Sequence, residues 1–150
     1  MLLGAVILFI LTGSFDIPVV FQKLQAAGSS SMVTLSLALF ILASMAKSVQ
    51  VPLHTWLPDA TVAPSAVTSF LHAAAMVKAG VYLISRIYPI TQVIETGPYL
   101  SFLVATIGTI TLTLCTMAAW VQYDVKRVLA FSTASQIGYM FLGIGTGTGF

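Results

Sequence analysis

The chain has 150 residues, of which 58% are hydrophobic and 7% are charged, and its mean hydropathy is +1.01. Soluble domains usually carry about 25% charged residues. Six basic and four acidic side chains cannot cover a water-facing surface, so we expect an integral membrane protein. The sequence has no run of basic residues of the kind that would indicate a nucleic-acid partner. Because Cys115 is the single cysteine, the chain cannot contain a disulfide framework. We expect Cys115 to be a small packing residue.

Apolar stretches predict an all-α chain, a polytopic transmembrane bundle of about five helices, because a bilayer core requires roughly 20 apolar residues per helix. The expected spans are about 1–12, 32–56, 64–87, 98–122 and 125–146. Together they make a single transmembrane region without a soluble domain. The segment between the first two spans suits either an amphipathic interfacial helix or an ordinary loop helix. Both ends look like cuts, so we expect a fragment of a longer membrane protein.

The second expected span contains polar residues and a proline. After a uniformly apolar beginning it carries Lys47, Ser48, Gln50 and Pro52. Proline lacks a backbone donor and clashes with the preceding turn, so we expect the helix to break at Val51 and Pro52. Irregular backbone at membrane depth is tolerated only inside protein or beside a water-filled cavity. The break therefore predicts a functional site within the membrane.

Two lysines and a histidine are the candidate proton carriers. Lys47 and Lys78 lie about fifteen and fourteen residues into their spans, where a charged side chain costs about 3 kcal/mol. Desolvation favours the neutral amine, and such a lysine exchanges protons readily. His72 precedes Lys78 by six residues, which is about 9 Å along a helix. Water molecules, rather than a direct contact, would therefore connect these two side chains.

Structural interpretations stay open beside these roles. Each lysine would snorkel to an interface if its helix ended nearby. His72 would be a hydrogen-bonded packing residue, and His54, beside Trp56, would face lipid headgroups. The spacing of the histidines and Asp59 fits no compact metal motif. Basic residues are divided equally between the two sides, so they do not determine the orientation.

Two stretches of this chain closely resemble the antiporter-like proton-translocating subunits of respiratory complex I. They are AKSVQVPLHTWLPDATVAPSAVTSFLHAAAMVKAGVYLISRI and DVKRVLAFSTASQIGYMFLGIG. The match is nearest to the NADH-quinone oxidoreductase subunit L, or chain 5, family, which is related to multisubunit Na+/H+ antiporter and membrane-bound hydrogenase subunits. The resemblance covers roughly residues 32–145. It implies part of a larger inverted-repeat fold in which the second helix of this chain is discontinuous.

The resemblance also implies a function and roles for three residues. Lys47 matches the family's central proton-carrying lysine, His72 the histidine of the next helix, and Lys78 a second lysine found in some branches. The implied function is proton translocation across an energy-transducing membrane, as a subunit of a proton-pumping NADH:quinone oxidoreductase. Electron transport would occur in other subunits, and we expect no redox centre and no cofactor in this chain.

The expected partners follow from the same resemblance. NADH, FMN, iron–sulfur clusters and quinone would bind to partner subunits. This chain would contact other membrane-arm subunits and the lipid bilayer, with protons, and Na+ as a second candidate, as the transported ions. The expected location is a prokaryotic cell membrane or an organelle inner membrane. We do not expect this length of chain to pump by itself.

Lys78 leaves a second function open. Lysine at this position is more typical of the antiporter branch and of the M-type complex I subunit than of the L-type subunit. The alternative is therefore a subunit of a multisubunit Na+/H+ antiporter or of a membrane-bound hydrogenase. A third interpretation is a structural membrane scaffold with snorkelling lysines. The family's glutamate partner for Lys47 is expected upstream of Met1.

Overall fold

The computed structural model of the chain describes residues 1–14, 16–27, 31–64, 67–68 and 76–147. Its helices, in chain order, are α1 (Leu2–Thr12), α2 (Ile17–Ala27), α3 (Ser31–Lys47), α4 (Trp56–Asp59), α5 (Lys78–Val93), α6 (Gly97–Val121) and α7 (Val125–Gly145). A 3₁₀ turn, Ala60–Val62, follows α4, and no strand occurs in these ranges. The expected all-α fold class is confirmed.

Two helices of the described ranges, α6 and α7, are long and apolar enough to cross a membrane. Helices α1 and α2 meet the same criterion only as a pair that bends by 60°. Helix α3 is apolar but has 17 residues, which is about 25 Å and shorter than a hydrocarbon core of about 30 Å. The division into five spans stays a prediction.

Helices α6 and α7 form an antiparallel hairpin in which glycines allow close contact. A Cβ atom on Gly108 would lie 2.6 Å from the backbone nitrogen of Leu142 and 2.7 Å from the carbonyl oxygen of Gly138. Lipid removes most of the hydrophobic driving force between membrane helices, so close backbone packing has to supply the attraction. Asp124 is the N-cap residue of α7, although its side chain makes no cap hydrogen bond.

The buried apolar residues form two clusters that share α3 and α5. The first cluster also includes α6 and α7, and contains Val49, Val77 and Phe141, each no more than 1% exposed. Cys115 is a buried member of this cluster, as the sequence predicted. The second cluster joins α2 to α3 and α5 around the fully buried Leu37. Helices α3 and α5 therefore connect the α1–α2 side of the chain to the α6–α7 hairpin.

The end of α5 differs from the expected one. The third span was expected to stop before Pro89, but α5 includes this proline and continues to Val93. Beyond the proline, Ile90 and Ile94 are buried in the second cluster. Their packing holds the chain in place despite the missing proline N–H, and membrane helices tolerate such interruptions when neighbouring groups compensate. The beginning of the expected span includes residues outside the described ranges.

Gly108→Ala should destabilise the chain by about 1–3 kcal/mol, because the added methyl group must separate α6 from α7. Gly143→Ala in α7 is the matched control, since nothing lies within 4 Å of a Cβ atom at that position. This control should be neutral or slightly stabilising, because alanine favours helix over glycine. Unfolding in mixed detergent micelles, followed by circular dichroism, measures both effects. Equal losses in the two variants would contradict the close contact at Gly108.

Candidate functional site

Helix α3 ends at Lys47. The sequence predicted the break at Val51, four residues later. The backbone N–H of Gln50 donates to the carbonyl of Met45 at 3.0 Å, and Val49 adopts a left-handed conformation with φ of 59°. This pattern is a Schellman motif, in which glycine usually occupies the left-handed position. Because this chain has valine there, the sequence contains no glycine to mark the end of the helix.

Residues 48–55, which we call the break segment, connect α3 to α4 and include Val51 and Pro52. Side chains satisfy the backbone groups that the end of the helix leaves unpaired. The indole N–H of Trp56 donates to the carbonyl of Ala46 at 3.2 Å. The N–H of Val51 donates to the hydroxyl oxygen of Thr111 at 3.0 Å, so the break segment is anchored on α6. Such pairing is what allows irregular backbone within a membrane protein.

Three fully buried serines of α3 and its C-terminal end link α3 to neighbouring segments. Each hydroxyl donates to a backbone carbonyl of a neighbouring segment, and the pairs are Ser36 with Gly4 at 2.7 Å, Ser44 with Gly80, and Ser48 with Val77 at 3.1 Å. Gly80 makes the approach possible, since a Cβ atom there would collide with the Ser48 hydroxyl and lie 2.7 Å from the Ser44 carbonyl. Helices α3 and α5 therefore lie in close contact near the end of α3.

The two lysines lie on either side of this approach. Lys47 is the last residue of α3 and Lys78 is the first residue of α5. The hydrogen bond from Ser48 to Val77 joins the residues next to them. Both lysine side chains are exposed on the surface of the chain. The fold thus brings Lys47 and Lys78 to one helix crossing, whereas the predicted site residue His72 lies outside the described ranges.

Gln50 is a site residue that the sequence analysis did not select. Its side chain is fully buried, and its amide nitrogen donates to the carbonyl of Ser48 at 3.0 Å. Its amide oxygen, Oε1, is enclosed and has no hydrogen-bond partner among the described residues. A long polar side chain two positions before a proline, in an apolar stretch, was the signal available in the sequence.

His54 is half-buried, and its Nδ1 atom is likewise enclosed without a partner in the described part of the chain. The headgroup-facing position considered from the sequence stays a prediction. No three His, Cys, Asp or Glu side chains of the described ranges lie close enough to share a metal ion. The groups that the site offers are amines, hydroxyls, an imidazole and an amide, which hold protons and water.

Comparison with known families agrees with this architecture. All of residues 1–150 match the family described as "NADH:quinone oxidoreductase/Mrp antiporter, TM". The chain belongs to this family. It is therefore a membrane protein, as its composition predicted, and the resemblance inferred from its two long motifs is confirmed.

Curated relatives cover the chain over nearly its whole length. It is 42% identical over 153 residues to the chloroplastic NAD(P)H-quinone oxidoreductase subunit 5 of Ipomoea purpurea, covering 99% of this chain and 21% of that protein. It is 44% identical over 152 residues to the organellar chromatophore subunit 5 of Paulinella chromatophora, covering 97% and 22%. The chain thus spans about a fifth of the length of these relatives.

Solved structures of two membrane complexes contain the same arrangement of helices. A chain of the Mrp complex from Dietzia sp. DQ12-45-1b matches with a TM-score of 0.86 and 34% identity, covering 98% of this chain and 16% of that one. A chain of the membrane-bound sulfane sulfur reductase, an archaeal respiratory membrane complex, matches with a TM-score of 0.88 and 28% identity, covering 96% and 29%.

Thr111→Val should release the break segment from α6, because valine keeps the shape of threonine but cannot accept the Val51 N–H. An unpaired buried donor costs about 1–3 kcal/mol. We expect faster amide hydrogen exchange at Val51, measured by mass spectrometry or nuclear magnetic resonance. Thr111→Ser keeps the accepting oxygen and should retain most of the protection.

Thr109→Val is the matched control, since the Thr109 hydroxyl also donates within α6 but lies outside the break segment. Exchange at Val51 should stay unchanged in this variant. If Thr111→Val also left the exchange of residues 48–55 unchanged, the anchoring role of Thr111 would be wrong.

Proposed function

We propose that this chain is part of a proton-translocating subunit in the membrane arm of an NADH:quinone oxidoreductase. The observation that carries the proposal is the crossing of α3 and α5, where Lys47 and Lys78 flank the hydrogen bond between Ser48 and Val77. A site at an interrupted helix, with two amines, suits the movement of protons better than catalysis on an organic substrate. Identity of 42% and 44% to subunit 5 proteins over nearly the whole chain supports this parent complex.

In the proposed mechanism, Lys47 holds a proton at the end of α3 and passes it through water and His72 toward Lys78. The C-terminal end of a helix carries partial negative charge, which stabilises a cation in the last turn by about 0.3–1 kcal/mol. Lys47 occupies that last turn.

The driving force would come from elsewhere in the complex. Oxidation of NADH through FMN and iron–sulfur clusters, and reduction of quinone, would take place in partner subunits. Changes in charge or shape in those subunits would then alter the proton occupancy of Lys47. This chain would contribute only the proton step, together with contacts to the lipid and to other membrane-arm subunits.

A subunit of a multisubunit Na+/H+ antiporter is the second candidate. The match to a chain of the Mrp complex from Dietzia, with a TM-score of 0.86, favours it. Lysine at position 78 favours it as well. The two candidates differ in their energy source, because an antiporter uses an ion gradient and a complex I subunit uses electron transfer to quinone.

Lys47→Ala should reduce proton translocation about tenfold or more, the effect of a barrier raised by at least about 1.4 kcal/mol. The variant is made in the membrane complex in which this chain occurs, and proton uptake into inverted vesicles is followed with a pH-sensitive dye. NADH drives one assay and an imposed Na+ gradient drives the other. Uptake driven only by NADH favours the oxidoreductase, and uptake driven only by Na+ favours the antiporter.

Lys126→Ala is the control, because it also removes one positive charge but lies at the start of α7, where the amine donates to the carbonyl of Ala63. Proton uptake should be close to normal in this variant. Normal uptake in Lys47→Ala, at an unchanged rate of electron transfer, would make the proposed role of Lys47 wrong.

A further inference from the structure

We infer that Gln50 binds a water molecule inside the break segment and that this water relays protons at the crossing of α3 and α5. The water-binding site follows from the structure of Gln50 and its surroundings alone. The relay rests on the function proposed above. Neither the sequence motifs nor the family resemblance selected this residue.

The orientation of the Gln50 amide is determined by its hydrogen bond. A carbonyl oxygen only accepts, so the group that faces the carbonyl of Ser48 at 3.0 Å must be the amide nitrogen. The amide oxygen therefore points the other way. It is enclosed, within a side chain that is 0% exposed, and no described residue donates to it.

An enclosed amide oxygen without a donor costs about 1–3 kcal/mol. Native proteins remove this cost with a buried water, which typically makes about three hydrogen bonds to otherwise unsatisfied polar groups. The Nδ1 atom of His54 is a second enclosed group without a partner, four residues further along the same segment. Both atoms lie within the eight residues of the break segment, and each is a group that a buried water can satisfy.

The charges around the site favour water over a metal cation. Residues 48–55 include no carboxylate. The nearby serine and threonine hydroxyls of Ser44, Ser48 and Thr111 already donate to backbone carbonyls. The residues that flank the crossing are Lys47 and Lys78, whose positive charges repel a bound cation. A neutral water donates to the amide oxygen without meeting this repulsion.

Gln50 lies at the same backbone crossing as the two lysines. It is three residues after Lys47, its amide nitrogen donates to the Ser48 carbonyl, and the Ser48 hydroxyl donates to the carbonyl of Val77, the residue before Lys78. A water on the amide oxygen accepts a proton from one neighbour and releases one of its own to the next, so the numbers of atoms and charges are conserved. Gln50 forms and breaks no covalent bond in this step, and it is a positioning residue.

A high-resolution cryo-electron microscopy map of the intact membrane complex tests the water site directly. We expect density at about 2.6–3.2 Å from the Gln50 amide oxygen, the range of ordinary hydrogen bonds. Gln50→Met keeps the length of the side chain and removes the amide, and the density should disappear. A protein donor on this oxygen, or no density, would overturn the inference. So would density at about 2.3–2.6 Å with several oxygen ligands, which indicates a metal cation.

Proton translocation tests the relay. Gln50→Met should lower it about tenfold or more, while the thermal stability of the complex and the rate of electron transfer change little. Gln92→Met is the control, because Gln92 is exposed and bonds only to the Ser101 hydroxyl among the described residues. Normal translocation in Gln50→Met, or a parallel loss of stability, would overturn the relay.

The two proposals fail separately. If Lys47→Ala stops proton translocation and Gln50→Met does not, the relay is wrong and the proposed function stands. If Lys47→Ala leaves translocation normal while the water density is present at Gln50, the proposed role of Lys47 is wrong and the water site stands.

Discussion

Every backbone N–H and C=O group at membrane depth needs a hydrogen-bond partner within the protein, and the rest of this structure depends on how the end of α3 meets that requirement. The Gln50 N–H returns to the carbonyl of Met45, the Trp56 indole reaches the carbonyl of Ala46, and the Thr111 hydroxyl accepts from Val51. The first two bonds are local, whereas the third comes from α6, 60 residues away along the chain. A tertiary contact therefore completes the break, and an isolated peptide of residues 45–56 would lack it.

The serines of α3 convert the same requirement into helix packing. A buried hydroxyl in an apolar bundle needs an acceptor, and Ser44 and Ser48 find theirs in the carbonyls of α5 and the residue before it. These hydrogen bonds form only if α5 has no side chain at the point of contact, and Gly80 meets this requirement. This close approach places the end of α3 beside the beginning of α5. Lys47 and Lys78 therefore lie at one helix crossing as a consequence of the serine hydrogen bonds.

The sequence predicted the helices that long apolar stretches mark. It did not predict features that depend on the conformation or burial of a single residue. Helices α6 and α7 end within one residue of their expected bounds, since long apolar runs between polar loops mark them. The end of α3 was placed too late, because a proline is visible in a sequence and a valine in a left-handed conformation is not. Gln50 was not predicted as a site residue for a related reason. Only the folded structure shows that its amide oxygen is enclosed and not in contact with solvent.

Val49 shows why this break has no glycine. A left-handed conformation costs an ordinary residue about 1–2 kcal/mol, and glycine would remove that cost. The Val49 side chain, however, is fully buried in the cluster shared by α3, α5, α6 and α7. In a membrane bundle such a side chain contributes through close packing, and replacing it with glycine would leave a cavity beside Gln50. The buried side chain therefore offsets part of the backbone cost, and it keeps the polar groups of the break in one fixed arrangement.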